Sequence, residues 1–255
     1  LGQRKGPLAE LKHRQEIYSL LQNVDEWPGD IGILEWAGRV CETVGCPTEA
    51  RRFWEKLLGL VDHPNARLGL ARLALQDGDF DRAAVHIQVL HDMFPHICEG
   101  WVVRGIFKMQ QQQYADAKQA FNRALSFDPD HRKARRGICL ALMALKEWRQ
   151  AWNACEALML ESPDDVESLK LLIQAGTELQ NWKQLVTHLS RFVDRNPSNG
   201  DMRFALAGVL IRADQRSQAQ YHYSVLATLH PDFEGLTDLQ FRIAQDTPPV
   251  FAIAK

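Results

Sequence analysis

Histidine and cysteine are the side chains here whose chemistry would most readily suggest a metal site or a nucleophile, and the 255-residue chain holds nine of the first and five of the second. His86, His91 and His96 recur every five residues, which puts successive imidazoles on different sides of a helix, and His96 follows a proline. They are expected to be solvated side chains, so no metal site is predicted. Cys46 lies in a loop before Pro47 and is expected to be the one reactive thiol, whereas Cys41, Cys139 and Cys155 fall where small apolar residues belong and should pack as such. G-x-S-x-G, H-E-x-x-H, a Gly-rich phosphate loop and C-x-x-C are all missing. The reading is a non-enzyme without cofactor.

Composition narrows the partners. Thirty Lys and Arg against 32 Asp and Glu leave a net charge of -2, which does not suit a phosphate backbone or an anionic membrane surface. Nucleic acid is therefore not expected. A composition 45% apolar and 24% charged is that of a soluble folded chain, and the longest nearly uncharged runs, such as 137–145, fall far short of the ~20 residues of a membrane span. An odd number of scattered cysteines argues for reduced thiols and a cytoplasmic location. The N-terminus has neither an initiator Met nor an apolar stretch behind Arg4 and Lys5, which reads as a fragment or a trimmed chain rather than a signal peptide.

The elements that position these residues follow from a period. Pro95, Pro129, Pro163, Pro197 and Pro231 are each 34 residues apart. Aromatics keep the same step at Phe80, Tyr114, Trp148 and Trp182, and small residues keep it at Ala83, Ala117 and Ala151, returning at Ala219 after Leu185. A third track runs Ala71, Gly105, Cys139, Ile173, Ala207. Three tracks in one register mean an array of repeats. Within one unit, Ala117, Phe121, Ala124 and Leu125 form the stripe of an amphipathic helix, and each proline ends a second helix. A single unit cannot bury its own stripe, so stacked neighbours must supply the core.

The unit from Cys98 to His131, with Trp101, Arg104-Gly105, Lys108, Tyr114, Ala117, Phe121, Ala124 and Pro129, resembles the tetratricopeptide repeat. Arg104 and Lys108 depart from that pattern, as do Arg135 and Cys155 in the following unit. The resemblance covers about residues 31 to 233 and implies an all-α superhelix, a solenoid of about six helical hairpins with capping helices. Six units are expected at 31–63, 64–97, 98–131, 132–165, 166–199 and 200–233. Residues 1–30 are read as an N-terminal capping helix, Leu8 to Val24, and a turn; 234–246 as a C-terminal capping helix carrying Leu236, Leu239 and Ile243; and 247–255 as an extended apolar tail. Trp36, Trp54, Trp101, Trp148 and Trp182 lie on or beside packing tracks, while Trp152 is read as free to face solvent. His86, His188 and His222 share one repeat position and are expected on the outward face of the second helices.

The resemblance further implies a protein-protein interaction scaffold that binds a peptide or helix of a partner along the concave face lined by the first helices. The positions on that face are Arg39, Arg72, Val102, Ile106, Met109, Lys133, Arg136, Leu140, Met143, Lys170 and Gln174. An apolar, methionine-rich middle with basic surroundings suits an amphipathic segment with an acidic flank. The competing reading buries Ile106, Leu140 and Met143 between neighbouring first helices. The clamp that some members of the family use on chaperone tails is not expected: its nearest match is Lys170 with Gln174, and Ala205 stands where a second Asn is needed. Self-association through a terminal or convex face is a further possibility. An alternative makes the chain the regulatory or partner-binding arm of a larger protein whose receiver or glycosyltransferase-like domain lies outside it; Ala66–Arg72 resembles a receiver-domain segment.

Overall fold

In the computed structural model residues 29–244 are described, and they form thirteen α-helices with no strand among them. The helices pair in sequence as hairpins: α1 (Ile31–Val44) with α2 (Pro47–Leu58), α3 (Pro64–Asp77) with α4 (Phe80–Met93), and α5 (Cys98–Gln110) with α6 (Tyr114–Phe127). Next come α7 (Arg132–Ala144) with α8 (Trp148–Glu161), α9 (Val166–Glu178) with α10 (Trp182–Arg195), and α11 (Gly200–Arg212) with α12 (Arg216–Leu229); α13 (Leu236–Ala244) follows. Two compact units divide the chain, Leu1–Gly137 and Ile138–Lys255, and the division falls inside α7. The helix expected at 8–24 and the tail expected at 247–255 fall outside the described residues.

Each first helix stops at a residue in the left-handed conformation. These residues keep the repeat: Gly45, Gly78, Gln112, Lys146, Gln180 and Asp214, with φ between 54° and 84°. Their backbones turn the chain into the second helix within two or three residues. Starts are capped by side chains where the position allows it, as Asp30 accepts from the Ile33 N–H at 2.9 Å, Asp79 from Arg82 at 3.0 Å and Asn199 from Met202 at 3.0 Å. Pro47 and Pro64 occupy first turns instead, where no backbone donor is needed.

Packing within the first unit turns on rings set between glycines. Trp54 of α2 lies against Gly38 of α1 and Gly69 of α3, and Phe121 of α6 against Gly105 of α5 and Gly137 of α7; a Cβ at any of the four glycines would clash with the ring. Both rings are buried. The same repeat position holds Cys155 in the second unit, where the facing first-helix residues are Cys139 and Leu171. The volume lost from the second helix is made up by the first helices, so density is kept while individual residues vary.

A second fit explains Arg135. Trp101 donates its indole N–H to the Pro95 carbonyl at 2.9 Å, and Arg135 donates from Nε to the Pro129 carbonyl at 2.8 Å. Arg203, in the second unit, donates from Nη2 to the Pro197 carbonyl at 2.8 Å. These residues share one repeat position, and each ties its helix to the proline turn six residues earlier. A guanidinium therefore replaces the tryptophan without loss of the tether.

In the second unit Trp152 is buried at 4% exposure and does not face solvent. Gly176 of α9 makes the room, since a Cβ there would lie 2.5 Å from the ring. Beyond α12, Leu239 of α13 is buried and the helix packs on α11 and α12, which covers the end of that unit.

Candidate functional site

The first helices share one repeat position, held in the first unit by exposed Arg39, half-buried Arg72 and exposed Ile106, and in the second by exposed Leu140 and Gln174 and half-buried Gly208. Ile106 is 37% exposed and Leu140 42%, which is high for aliphatic side chains in mid-helix. Met109 is half-buried, Lys133, Lys170 and Gln174 are exposed, and Arg136 is half-buried. Two of the expected surface positions belong elsewhere: Val102 at 1% and Met143 at 6% exposure are core residues. The physical reason is that inner-face and interhelix positions alternate within one turn, so a rotation of a few tens of degrees decides between them. Burial claims Val102 and Met143 but leaves Ile106 and Leu140 open.

Charges on and one turn away from this position are largely compensated. Arg39 pairs with Glu35 at 2.7 Å and Lys170 with Glu167 at 3.2 Å. Arg72 reaches Glu42 at 2.7 Å, and the other oxygen of Glu42 accepts the indole N–H of buried Trp54 at 2.8 Å. That carboxylate is anchored by the core and holds Arg72 in place.

The thiols and imidazoles are distributed differently from the sequence expectation. Cys46 is buried at 7% exposure because its N–H bonds to the Cys41 carbonyl at 2.8 Å and folds the loop under α1. Cys98, half-buried at the start of α5, is the more accessible thiol. Cys41 is pushed up to about 12 by burial and by the neighbouring Cys46, and Cys155 is pushed far up by its hydrogen bond with Cys139 and by burial. These thiols are inert near neutral pH.

Of the three closely spaced histidines only His96 is exposed. His91 packs tilted against Trp101 with ring centres 4.1 Å apart, and burial, then Arg104, lowers its pKa to about 4. Nor do His86, His188 and His222 face outward: His86 meets Arg67 at 3.3 Å, His222 meets Arg203 at 3.3 Å and His188 meets Glu156 at 3.0 Å. A second helix has its own first helix on one side and a neighbouring hairpin on the other, which leaves little outward face at that position.

Sequence models of the tetratricopeptide repeat family match residues 45–92 and 108–175. Tetratricopeptide repeat-containing protein trd-1 of Caenorhabditis elegans is 22% identical over 221 residues, 77% of this chain. The chain belongs to the tetratricopeptide-repeat family. It spans 28% of the length of that curated relative. Among solved structures, Pseudomonas aeruginosa pilF superposes with a TM-score of 0.66 at 14% identity, over 90% of this chain and 99% of that one. The Cut9 and Hcn1 hetero-tetramer of the APC/C gives 0.62 at 16% identity, over 92% and 47%. YrrB, described as a TPR protein with an unusual peptide-binding site, gives 0.60 at 12% identity, over 74% and 97%. At these identities the likeness shows the fold.

Within this tetratricopeptide array the Ala66–Arg72 segment lies in the middle of α3 and supplies buried Ala66, Leu68, Gly69, Leu70 and Ala71, which accounts for its pattern as helix packing. Among the described residues no helix is long and apolar enough to cross a membrane.

Proposed function

We propose that the array is a non-catalytic protein-interaction scaffold that receives partner protein segments at the exposed lane positions of the first helices within each of its two units. The observation that carries this reading is the exposure of Ile106 and Leu140 at the lane position where Arg39, Arg72 and Gln174 stand in other repeats. An aliphatic side chain this open in mid-helix, Ile106 within the first unit and Leu140 within the second, suits contact with a partner's apolar residue in each unit by itself. Lys133 adds a cation at the start of α7, which favours an amphipathic partner segment with an acidic flank.

A photo-crosslinking amino acid placed at 106 or 140, with a control at Leu160 on α8, tests this in lysate. Leu160 is 73% exposed, more open than either lane residue, so a failure to capture there is not a failure of access. Partners captured at 106 and 140, absent at 160, and lost when Ile106→Glu and Leu140→Glu are combined, are the expected outcome. Identical capture at all three positions, or capture indifferent to the double substitution, would sink the lane assignment. A second reading, an arm of a longer polypeptide, is favoured by the 28% of the curated relative that the chain spans. In that reading the lane docks a partner or another part of the same polypeptide.

A further inference from the structure

Cys98 at the first position of α5, Asp128 at the C-terminal cap of α6 and His131 just ahead of α7 each offer a ligand atom within 4.8 Å of the other two. One sulfur, one nitrogen and one oxygen donor is the mixture that borderline divalent ions such as zinc accept. Repeat geometry does not ask for the combination. The same three positions hold Arg132, Ser162 and Asp165 one unit later, and Val166, Asn196 and Asn199 in the unit after that.

His131 is already oriented by a carboxylate. Its Nε2 lies 3.2 Å from Glu99 Oε1, and its Nδ1 accepts the Ala134 N–H at 3.2 Å. With Nε2–H donating to Glu99, the Nδ1 lone pair faces away from the acid, which is the carboxylate–histidine arrangement that fixes a metal-binding imidazole. Turning Nδ1 to an ion gives up one long capping bond. Cys98 donates its S–H to the Ala124 carbonyl at 3.4 Å. On metal binding that proton passes to solvent and the thiolate becomes the ligand. Metal-to-ligand bonds of about 2.0–2.3 Å in a tetrahedron place ligand atoms roughly 3.5 Å apart, so the three donors close in by roughly 1 Å. Asp128 is exposed and can supply much of that movement.

We propose that Cys98, Asp128 and His131 bind a zinc-class divalent ion, with water as fourth ligand and Glu99 orienting His131. Such an ion ties the start of α5, the end of α6 and the start of α7 together at the Pro129 turn, making the stiffness of this stretch metal-dependent.

The test is titration of the reduced, metal-free full chain with Co²⁺, whose thiolate charge-transfer absorption reports a Cys ligand, followed by displacement with Zn²⁺. The variants come from the protein's own repeats, so each side chain is one the fold already accepts at that position: Cys98→Val, Asp128→Asn and His131→Asn, the last keeping a helix cap as Asn199 does. One equivalent of Co²⁺ should bind with the charge-transfer band. Cys98→Val should abolish the band, Asp128→Asn and His131→Asn should weaken binding at least tenfold, and Glu99→Gln should weaken it about tenfold. Metal-free melting temperatures should stay near the parent value while the metal-induced rise disappears. Absence of the band in the parent chain, or a band that survives Cys98→Val, would overturn the assignment.

Discussion

Phe121 fills the space that Gly105 and Gly137 leave open, so the same small substitution should have opposite signs at two glycines. At Gly137 an added methyl meets Phe121 Cζ at 2.5 Å, and Gly137→Ala should cost about 1–3 kcal/mol through overpacking. Nothing lies within 4 Å of a Cβ at Gly208 in α11, so Gly208→Ala should gain about 0.5–1 kcal/mol from the stiffer unfolded chain and better helix propensity. Urea unfolding of the two variants reads the difference; equal signs would refute the volume account. Thiols separate at this scale as well. A bulky reagent should label Cys98 before Cys41, Cys46, Cys139 and Cys155, which are buried. Mass spectrometry of the partly labelled native chain gives the order, and early modification of Cys46 would contradict the folded loop at 45–47.

At the scale of elements, the hairpin turn repeats a left-handed backbone while the residue that adopts it changes. Gly45 and Gly78 take it without strain, but Gln112, Lys146, Gln180 and Asp214 carry a Cβ against the following carbonyl. Lys146→Gly should therefore stabilise the chain by about 0.5–1 kcal/mol, Gln112→Gly and Gln180→Gly by a similar amount, and Asp214→Gly by less because aspartate tolerates this region better. Thermal melts of the single variants test the ranking. A loss of stability at Lys146→Gly would mean that its side chain contributes more than its backbone strain removes.

Across the whole molecule, three imidazoles make the fold sensitive to acid. Burial and then Arg104 lower His91 to about 4, and burial followed by Arg67 and Arg203 respectively lowers His86 and His222. The unfolded chain takes up protons on these rings near their ordinary value of 6.5, before the folded chain does. Stability is then full above that pH and declines as the pH falls towards 4, because the unfolded state binds more protons in that window. His91 is partly screened by solvent, so its share is on the order of 1–2 kcal/mol. Its Nε2 is buried without a hydrogen-bond partner, and His91→Phe should flatten the decline while preserving the contact with Trp101. Denaturant midpoints at pH 7.5 and 4.5 for parent and variant check it; an unchanged slope in the variant would remove His91 as a cause.

Periodicity in the sequence determined the helical hairpins, because prolines, turn aromatics and small residues answer to local geometry that repeats with the chain. The tracks of Pro95 and Tyr114 carry turn chemistry, and Ala117 carries a close approach; each is visible residue by residue. Burial of Trp152, Cys46, Val102 and Met143 depends instead on what stands opposite. Gly176 admits Trp152 although Lys118 and Ala84 occupy the equivalent position elsewhere, and no spacing within α8 reports a glycine in α9. The exposed lane was half legible for the same reason, since the period named Ile106 and Leu140 together with Val102 and Met143, and only helix rotation separated them. Cys98, Asp128 and His131 were not legible at all. They stand on three helix ends up to 33 residues apart, and only the folding of the Pro129 turn brings them within 4.8 Å.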